Sequence, residues 1–241
     1  MDIWAHRGAK IARPENTIPA FEEAIRQKAD GILLNVQMTK DGYLVVCHDE
    51  TLNRTTNGKG FIKHYNLFEI KQLDAGFWFD KKYKATKIPM IEDVVEIIKS
   101  TDVTLCIVLK EGTIFYPNIE QKLVDIIEKL GIEEQIIISS FDHYALRKIK
   151  EIAPKLKTGL IVSQNLMSVE DYTRINDVDV LHYNIKVLNE DIVKDCEKCG
   201  VELITHLVND EFDYNKAVSL GIKTIVTDNP LRIKTIDLKN I

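Results

Sequence analysis

The chain of 241 residues is 45% hydrophobic and 29% charged, a balance that excludes a disordered or fibrous protein. Its net charge of −5, from 37 acids against 32 bases, offers no general attraction for nucleic acid. No run approaches the roughly 18 apolar residues of a membrane span, and the opening MDIWAHRGAK lacks the apolar stretch of a secretion signal. The sequence therefore reads as that of a cytosolic protein.

The first predicted strand, DIWAH (2–6), enters a polar loop, and a helix pattern follows in TIPAFEEAIRQK. DGILLNVQ (30–37) and YLVVCH (43–48) come next, joined by a link too short for a parallel crossover, so they are expected to pair antiparallel. A turn centred between Lys40 and Asp41 would set Leu33 opposite His48 and Asn35 opposite Val46. Residues 33, 35 and 37 would share one face. Residues 50–90 interrupt the alternation with aromatics, glycines and bases. A long segment of this kind commonly serves as a lid or binding loop, and Phe77, Trp78 and Phe79 are its candidates for lining a pocket or plugging a barrel end.

After residue 90, helix and strand patterns alternate. Strands are predicted at 103–110, 135–140, 157–163, 178–184, 201–206 and 223–228. Between them IEDVVEIIKS, NIEQKLVDIIEKL, DHYALRKIKEIA, SVEDYTRIN, EDIVKDCEKC and DYNKAVSL repeat apolar residues at spacings of three and four. Asp142 and Ser168 are placed to cap helix starts, and Gly131, Gly200 and Gly221 to end helices. The pattern, with no GxGxxG loop, predicts a (β/α)8 TIM barrel forming a single domain over 1–241. Cys47 and Cys106 read as buried free thiols. Cys196 and Cys199, in CEKC at a helix end, lack the four ligands of a zinc site and the helix-start position of a redox pair.

In such a barrel, the C-terminal ends of the strands form the site. Those ends carry His6-Arg7, Lys110, Ser139-Ser140, His182 with Asn184, His206 and Thr227-Asp228, while the hairpin adds His48. Histidines beside an arginine and a lysine suit an anionic ligand such as a phosphate ester.

These residues lie within longer motifs. AHRGAKIARPENTIPAF (5–21), MTKDGYLVVCHDETLNRTTNGKG (38–60), LDAGFWF (73–79), IPMIEDV (88–94), ISSFDHYAL (138–146), LVNDE (207–211) and IVTDNP (225–230) follow in order along the chain. Together they resemble the glycerophosphodiester phosphodiesterase family over nearly the whole length. The resemblance implies a TIM barrel that hydrolyses sn-glycerol-3-phosphodiesters to glycerol 3-phosphate and an alcohol. It further implies His6 and His48 as the acid/base pair, with Arg7 and Lys110 on the phosphate and Glu15 beside them.

The family also holds Mg²⁺ or Ca²⁺ on three carboxylates, two in a strand resembling GIELDV and one in a strand resembling LNIELK. Here those strands read GILLNV and LCIVLK, which sets Leu33, Asn35 and Val108 at the acid positions. Two hydrocarbons and an amide make a poor site for a hard cation, so no metal cofactor is expected. Asp49, Glu50 and Glu111 are the nearby acids that would have to replace the missing ligands. HLVND stands where the family resembles WTVND, so His206 replaces an aromatic wall of the glycerol pocket.

The expected partner is a small glycerophosphodiester or phosphate ligand, with no nucleic acid and no membrane span; the oligomeric state is open. The sequence leaves three readings: a two-histidine hydrolase with little metal dependence, a non-catalytic phosphodiester-binding relative, and an enzyme for a different phosphodiester.

Overall fold

A computed structural model of the chain describes residues 1–109 and 115–239. The strands are β1 (Asp2–His6), β2 (Gly31–Met38), β3 (Leu44–Val46), β4 (Thr104–Leu109), β5 (Ile136–Ser140), β6 (Lys157–Val162), β7 (Val180–Asn184), β8 (Glu202–His206) and β9 (Thr224–Thr227). All but β3 are parallel, in the order β1-β9-β8-β7-β6-β5-β4-β2, and pairing of β1 with β2 closes them into a (β/α)8 TIM barrel. The helices are α1 (Ile18–Arg26), α2 (Leu67–Gln72), α3 (Ile91–Ile98), α4 (Ile119–Leu130), α5 (His143–Ile152), α6 (Val169–Asn176), α7 (Glu190–Cys199), α8 (Glu211–Ser219) and α9 (Pro230–Lys239). No helix among the described residues is long and apolar enough to cross a membrane.

The strands read as continuous apolar runs because both of their faces are buried. In β2, Ile32, Leu34 and Val36 pack outward under the helices, while Leu33 turns into the barrel. In β4, Leu105, Ile107 and Leu109 pack outward, and Cys106 and Val108 turn in. The barrel interior is filled by Trp4, Leu33, Cys106, Val108, Ile137, Ile161, Val180, Ile204 and Val226. Helix α3 buries Ile91, Val94, Val95 and Ile98, and α4 buries Ile119, Leu123, Val124 and Ile127, each set forming one stripe. Each fully buried side chain of this kind contributes roughly 1.5–3 kcal/mol of transfer free energy. Asp142 and Ser168 cap α5 and α6 as expected, and Gly131 and Gly200 end α4 and α7 in the left-handed conformation.

The hairpin register differs from the sequence expectation by one residue. Val36 pairs with Val46, and the Cys47 amide donates to the Asn35 carbonyl, so neither Leu33–His48 nor Asn35–Val46 is a pair. The cause is the loop of Lys40, Asp41 and Gly42, closed by the Thr39 amide donating to the Tyr43 carbonyl, with Gly42 at φ +86°. A three-residue loop with a left-handed glycine shifts the pairing relative to a two-residue turn. Residue 48 lies beyond the last residue of β3, so strand alternation does not set its direction.

The segment 50–90 forms a satellite layer with its own core of Val45, Cys47, Leu52, Ile62, Ile70, Ala75 and Ile88. It contains α2, capped reciprocally by Asn66 and Glu69. Phe77 and Trp78 are exposed, so the aromatic run does not plug the barrel.

Candidate active site

Strand β2 positions the histidines. β1 runs parallel along one edge of β2 as far as His6, which lies opposite Leu33. β3 occupies the same edge further along and runs back toward β1, bringing Cys47 opposite Asn35. The two segments thus meet head to head, and His6 and His48 both line one cavity of about 210 Å³. Arg7, Leu33, Asn35, Val108, Phe141, Ile161, His182, His206 and Leu207 complete its wall. Gln37 fixes the second segment by donating to the His48 carbonyl (3.3 Å), and is itself held by the Tyr116 hydroxyl (2.9 Å).

Each histidine holds a carboxylate on the same ring nitrogen. His6 Nδ1 lies 2.7 Å from Asp228 Oδ1, and His48 Nδ1 lies 2.5 Å from Asp49 Oδ1. A carboxylate there fixes the tautomer with the proton on Nδ1 and leaves Nε2 to exchange protons with a ligand. Lys10 donates to the same Asp228 oxygen (2.8 Å), and Asn209 donates to the other (3.1 Å). Burial holds the His6 imidazole below its ordinary range, while the Asp228 hydrogen bond opposes that shift. Burial would raise the Asp228 carboxyl, but hydrogen bonds from His6 and Lys10 keep it at about 2.

Arg54 links the second pair to the remaining acid. It donates through Nε to Asp49 Oδ2 (2.7 Å) and bidentately to Glu15, at 2.8 Å to each oxygen. Arg7 donates to Glu15 Oε1 from the other side (2.9 Å). Burial would raise Glu15, but the Arg54 hydrogen bonds and the charge of Arg7 hold it at about 2. Glu15 stands behind Arg7 and is not part of the cavity wall. Among the described residues, Arg7 Nε is buried without an acceptor, a donor suited to an anion.

Arg7 and Leu207, each directly after a strand-final histidine, have φ of 60° and 65°. Left-handed backbone at such residues costs of order 1–2 kcal/mol and bends the chain off the strand axis at the rim. Gly8, at φ +79°, allows the close approach that follows, since a Cβ there would lie 2.7 Å from the Ala20 backbone.

Of the residues singled out by sequence, His6, Arg7, His48 and His206 come together, and Lys110 and Glu111 lie outside the described residues. Burial pushes His206 down to about 4, with the His6 charge adding to the effect. Phe77 and Trp78 are absent from the wall, and Phe141 supplies its aromatic ring instead. The sequence sets Asp228 at the rim but gives neither its pairing with His6, nor that of Asp49 with His48, nor the Arg54 contacts. Asp49 adjoins His48 in sequence, whereas nothing local ties Asp228 to His6.

The donors in this rim do not fit a hard divalent cation. Leu33 and Val108 have no lone pair to offer, and Asn35 Oδ1 faces Asn16 Nδ2 (3.4 Å). Asp49, Asp228 and Glu15 are each occupied by cationic or imidazole partners. No three His, Cys, Asp or Glu side chains among the described residues are grouped to hold an ion.

Comparison with known proteins agrees with this architecture. A glycerophosphodiester phosphodiesterase of Caldanaerobacter subterraneus is 43% identical over 228 residues, covering 95% of this chain and 94% of that protein. One from Bacillus altitudinis is 36% identical, covering 95% of each. Among solved structures, an Oleispira antarctica phosphodiesterase in complex with the product sn-glycerol-3-phosphate superposes with a TM-score of 0.90 at 28% identity, covering 98% of this chain and 96% of that one. The model of the glycerophosphoryl diester phosphodiesterase family matches residues 6–232, and the chain belongs to that family.

Proposed function

We propose that this chain hydrolyses glycerophosphodiesters to sn-glycerol 3-phosphate and an alcohol, with His6 and His48 exchanging the protons and no step routed through a divalent cation. The observation that carries this reading is the paired arrangement of His6–Asp228 and His48–Asp49 on one cavity. In the first half-reaction, one imidazole takes the proton of the glycerol hydroxyl next to the phosphate ester. That oxygen bonds to phosphorus as the ester bond to the alcohol breaks, and the other imidazole protonates the departing oxygen. In the second half-reaction the roles reverse: water loses a proton, attacks the cyclic phosphate and opens it. The two steps restore both imidazoles.

Acid/base catalysis of this kind supplies about 10²–10⁴-fold. The Arg7 guanidinium, whose buried Nε has no partner among the described residues, and the lysine expected at position 110 supply positive charge for the phosphate oxygens. Apolar Leu33 and Val108, where carboxylates would repel an unneutralised phosphate, keep the balance favourable. Similarity to proteins named as phosphodiesterases, one of them holding glycerol 3-phosphate, supports this substrate class. Four unpaired cysteines fit a reducing cytosolic setting.

The test is glycerol 3-phosphate release from glycerophosphocholine and glycerophosphoethanolamine, in EDTA and with added Mg²⁺ or Ca²⁺. Turnover is expected to survive EDTA and to vanish in His6→Ala/His48→Ala. Turnover that requires the added cation would refute the metal-free route. Turnover no greater than that of the double variant would refute hydrolysis of these substrates and leave a binding protein.

A further inference from the structure

On the far side of the cavity from the histidine pair lies a polar group that the proton transfers above do not use. In the closed strand order, β7 stands across the barrel from β2. Its inward residue His182 lines the same cavity as His6 and His48, yet is only 1% exposed. The imidazole Nε2 lies 2.9 Å from Ser139 Oγ, which lies 3.3 Å from Cys106 Sγ. Gly159, on the strand between them, leaves room for this contact: a Cβ there would come within 2.6 Å of Ser139 Oγ and 2.8 Å of His182 Nε2. The opposite ring nitrogen, Nδ1, is buried and has no hydrogen-bond partner among the described residues. The wall of the cavity that His182 lines also includes apolar Leu33, Val108 and Ile161. A buried polar atom left in this state is destabilising until a ligand completes it.

We infer that His182 is a specificity-determining residue whose Nδ1 hydrogen-bonds the terminal, non-reacting hydroxyl of the substrate's glycerol moiety. The inference rests on the proposed glycerophosphodiester reading and deepens it. Three features select a hydroxyl. First, burial, reinforced by His206, holds the ring neutral, with a pKa of about 3, so it offers no charge to an anion. Second, the Cys106–Ser139–His182 chain can run in either direction. If the thiol donates to the serine and the serine to Nε2, then Nδ1 carries the proton; if Nε2 donates to the serine and the serine to sulfur, Nδ1 accepts. A hydroxyl complements both arrangements, whereas a phosphate oxygen complements only one. Third, position assigns which hydroxyl it is. The phosphate and its neighbouring hydroxyl are held between His6 and His48, so the hydroxyl that reaches across toward β7 is the terminal one.

The experiment compares affinity by titration calorimetry for sn-glycerol 3-phosphate, for the matching 2-hydroxypropyl phosphate that lacks only the terminal hydroxyl, and for inorganic phosphate. The wild-type chain is expected to prefer glycerol 3-phosphate over the deoxy analogue by about 10- to 100-fold, the effect of leaving a buried partner unpaired. In His182→Leu that preference is expected to shrink to within about threefold, with affinity for inorganic phosphate unchanged. His182→Gln, whose amide can donate or accept, is expected to retain more of the preference than His182→Leu. Equal wild-type affinity for the two organic phosphates, or an undiminished preference in His182→Leu, would overturn the inference. If the leucine variant fails to fold, equal wild-type affinities still overturn the inference, and His182→Gln carries the assignment to this residue. Intact glycerol 3-phosphate binding without turnover would refute the hydrolase reading alone, and turnover with no preference for glycerol 3-phosphate over the deoxy analogue would refute this inference alone.

Discussion

Replacing Asp228 by Asn isolates the role of the first histidine–carboxylate pair. The His6 Nδ1–Asp228 contact is 2.7 Å, and the same oxygen takes a 2.8 Å bond from Lys10. A hydrogen bond to a charged partner contributes about 1.5–3 kcal/mol. If that free energy is expressed when His6 gains positive charge, its loss lowers kcat/KM by about 10- to 150-fold. The amide can also turn its NH₂ toward Nδ1, which would put the ring proton on Nε2 and make His6 unable to accept there. The pH profile provides a second readout. Asp228 raises the His6 pKa against the lowering effect of burial, so removing its charge lets that pKa fall. Lys10, 3.3 Å from Nδ1, then acts on the ring without a carboxylate between them. If His6 works as base, the acidic limb of kcat/KM moves to lower pH; if it works as acid, the alkaline limb moves to lower pH. The assay is product release from glycerophosphocholine across pH 4–10. A rate within about twofold of wild type, or a reduced rate with both limbs unmoved, would refute the assignment.

Three further outcomes are expected. Arg54→Met removes the bidentate bond to Glu15 and the clamp on Asp49; because Arg54 is part-exposed, the loss is about 1–2 kcal/mol, read by denaturant melts. Glu15 and Asp228, each held at about 2, stabilise the fold above their unfolded values near 4, and that stability is lost as pH falls from about 4 through 2. Relaxing Glu15 in the Arg54 variant should therefore start acid unfolding at higher pH; an unchanged acid midpoint would contradict this. Leu33→Glu/Asn35→Asp/Val108→Glu places three acids at one rim, where a buried unpaired charge costs about 3–5 kcal/mol, so the melting temperature should fall in EDTA and recover with Ca²⁺ or Mg²⁺. Cation-independent melting would show that these positions do not converge on one ion. Gly159→Ala should destabilise by about 1–3 kcal/mol by driving a methyl group into Ser139 and His182, and wild-type stability would show that the strand yields there.

The barrel was legible in sequence because its strands are buried on both faces, which turns each into a compact β-branched run such as QIIISS or KTIVTD. Helix ends were legible where a side chain caps its own backbone locally, as Asp142 does. The hairpin pairing was misplaced because a one-residue shift depends on the backbone state of Gly42, not on hydrophobic pattern. The layer over 50–90 escaped pattern reading because its apolar residues, from Leu52 to Ile88, are scattered among turns without helical or strand spacing. At the site, the rim histidines can be read from strand ends, and Leu33, Asn35 and Val108 from the motifs around them. Their carboxylate partners were harder. Asp49 is adjacent to His48, but its pairing depends on the bend after β3, and Asp228 is separated from His6 by 222 positions. His182 was visible as a strand-end residue, whereas the vacancy at its Nδ1 depends on which way the ring faces.

The seam between β1 and β9 gives the site a dependence on assembly order. His6 is on the first strand and its carboxylate partner directly follows the last, so no stretch shorter than residues 6–228 contains both. Until that seam forms, the imidazole is an ordinary solvated ring with neither a fixed tautomer nor a buried neighbour. The other pair, His48 and Asp49, is contiguous and can preassemble on the hairpin. The chain carries one of its two histidine–carboxylate pairs as a local motif and makes the other conditional on a completed ring.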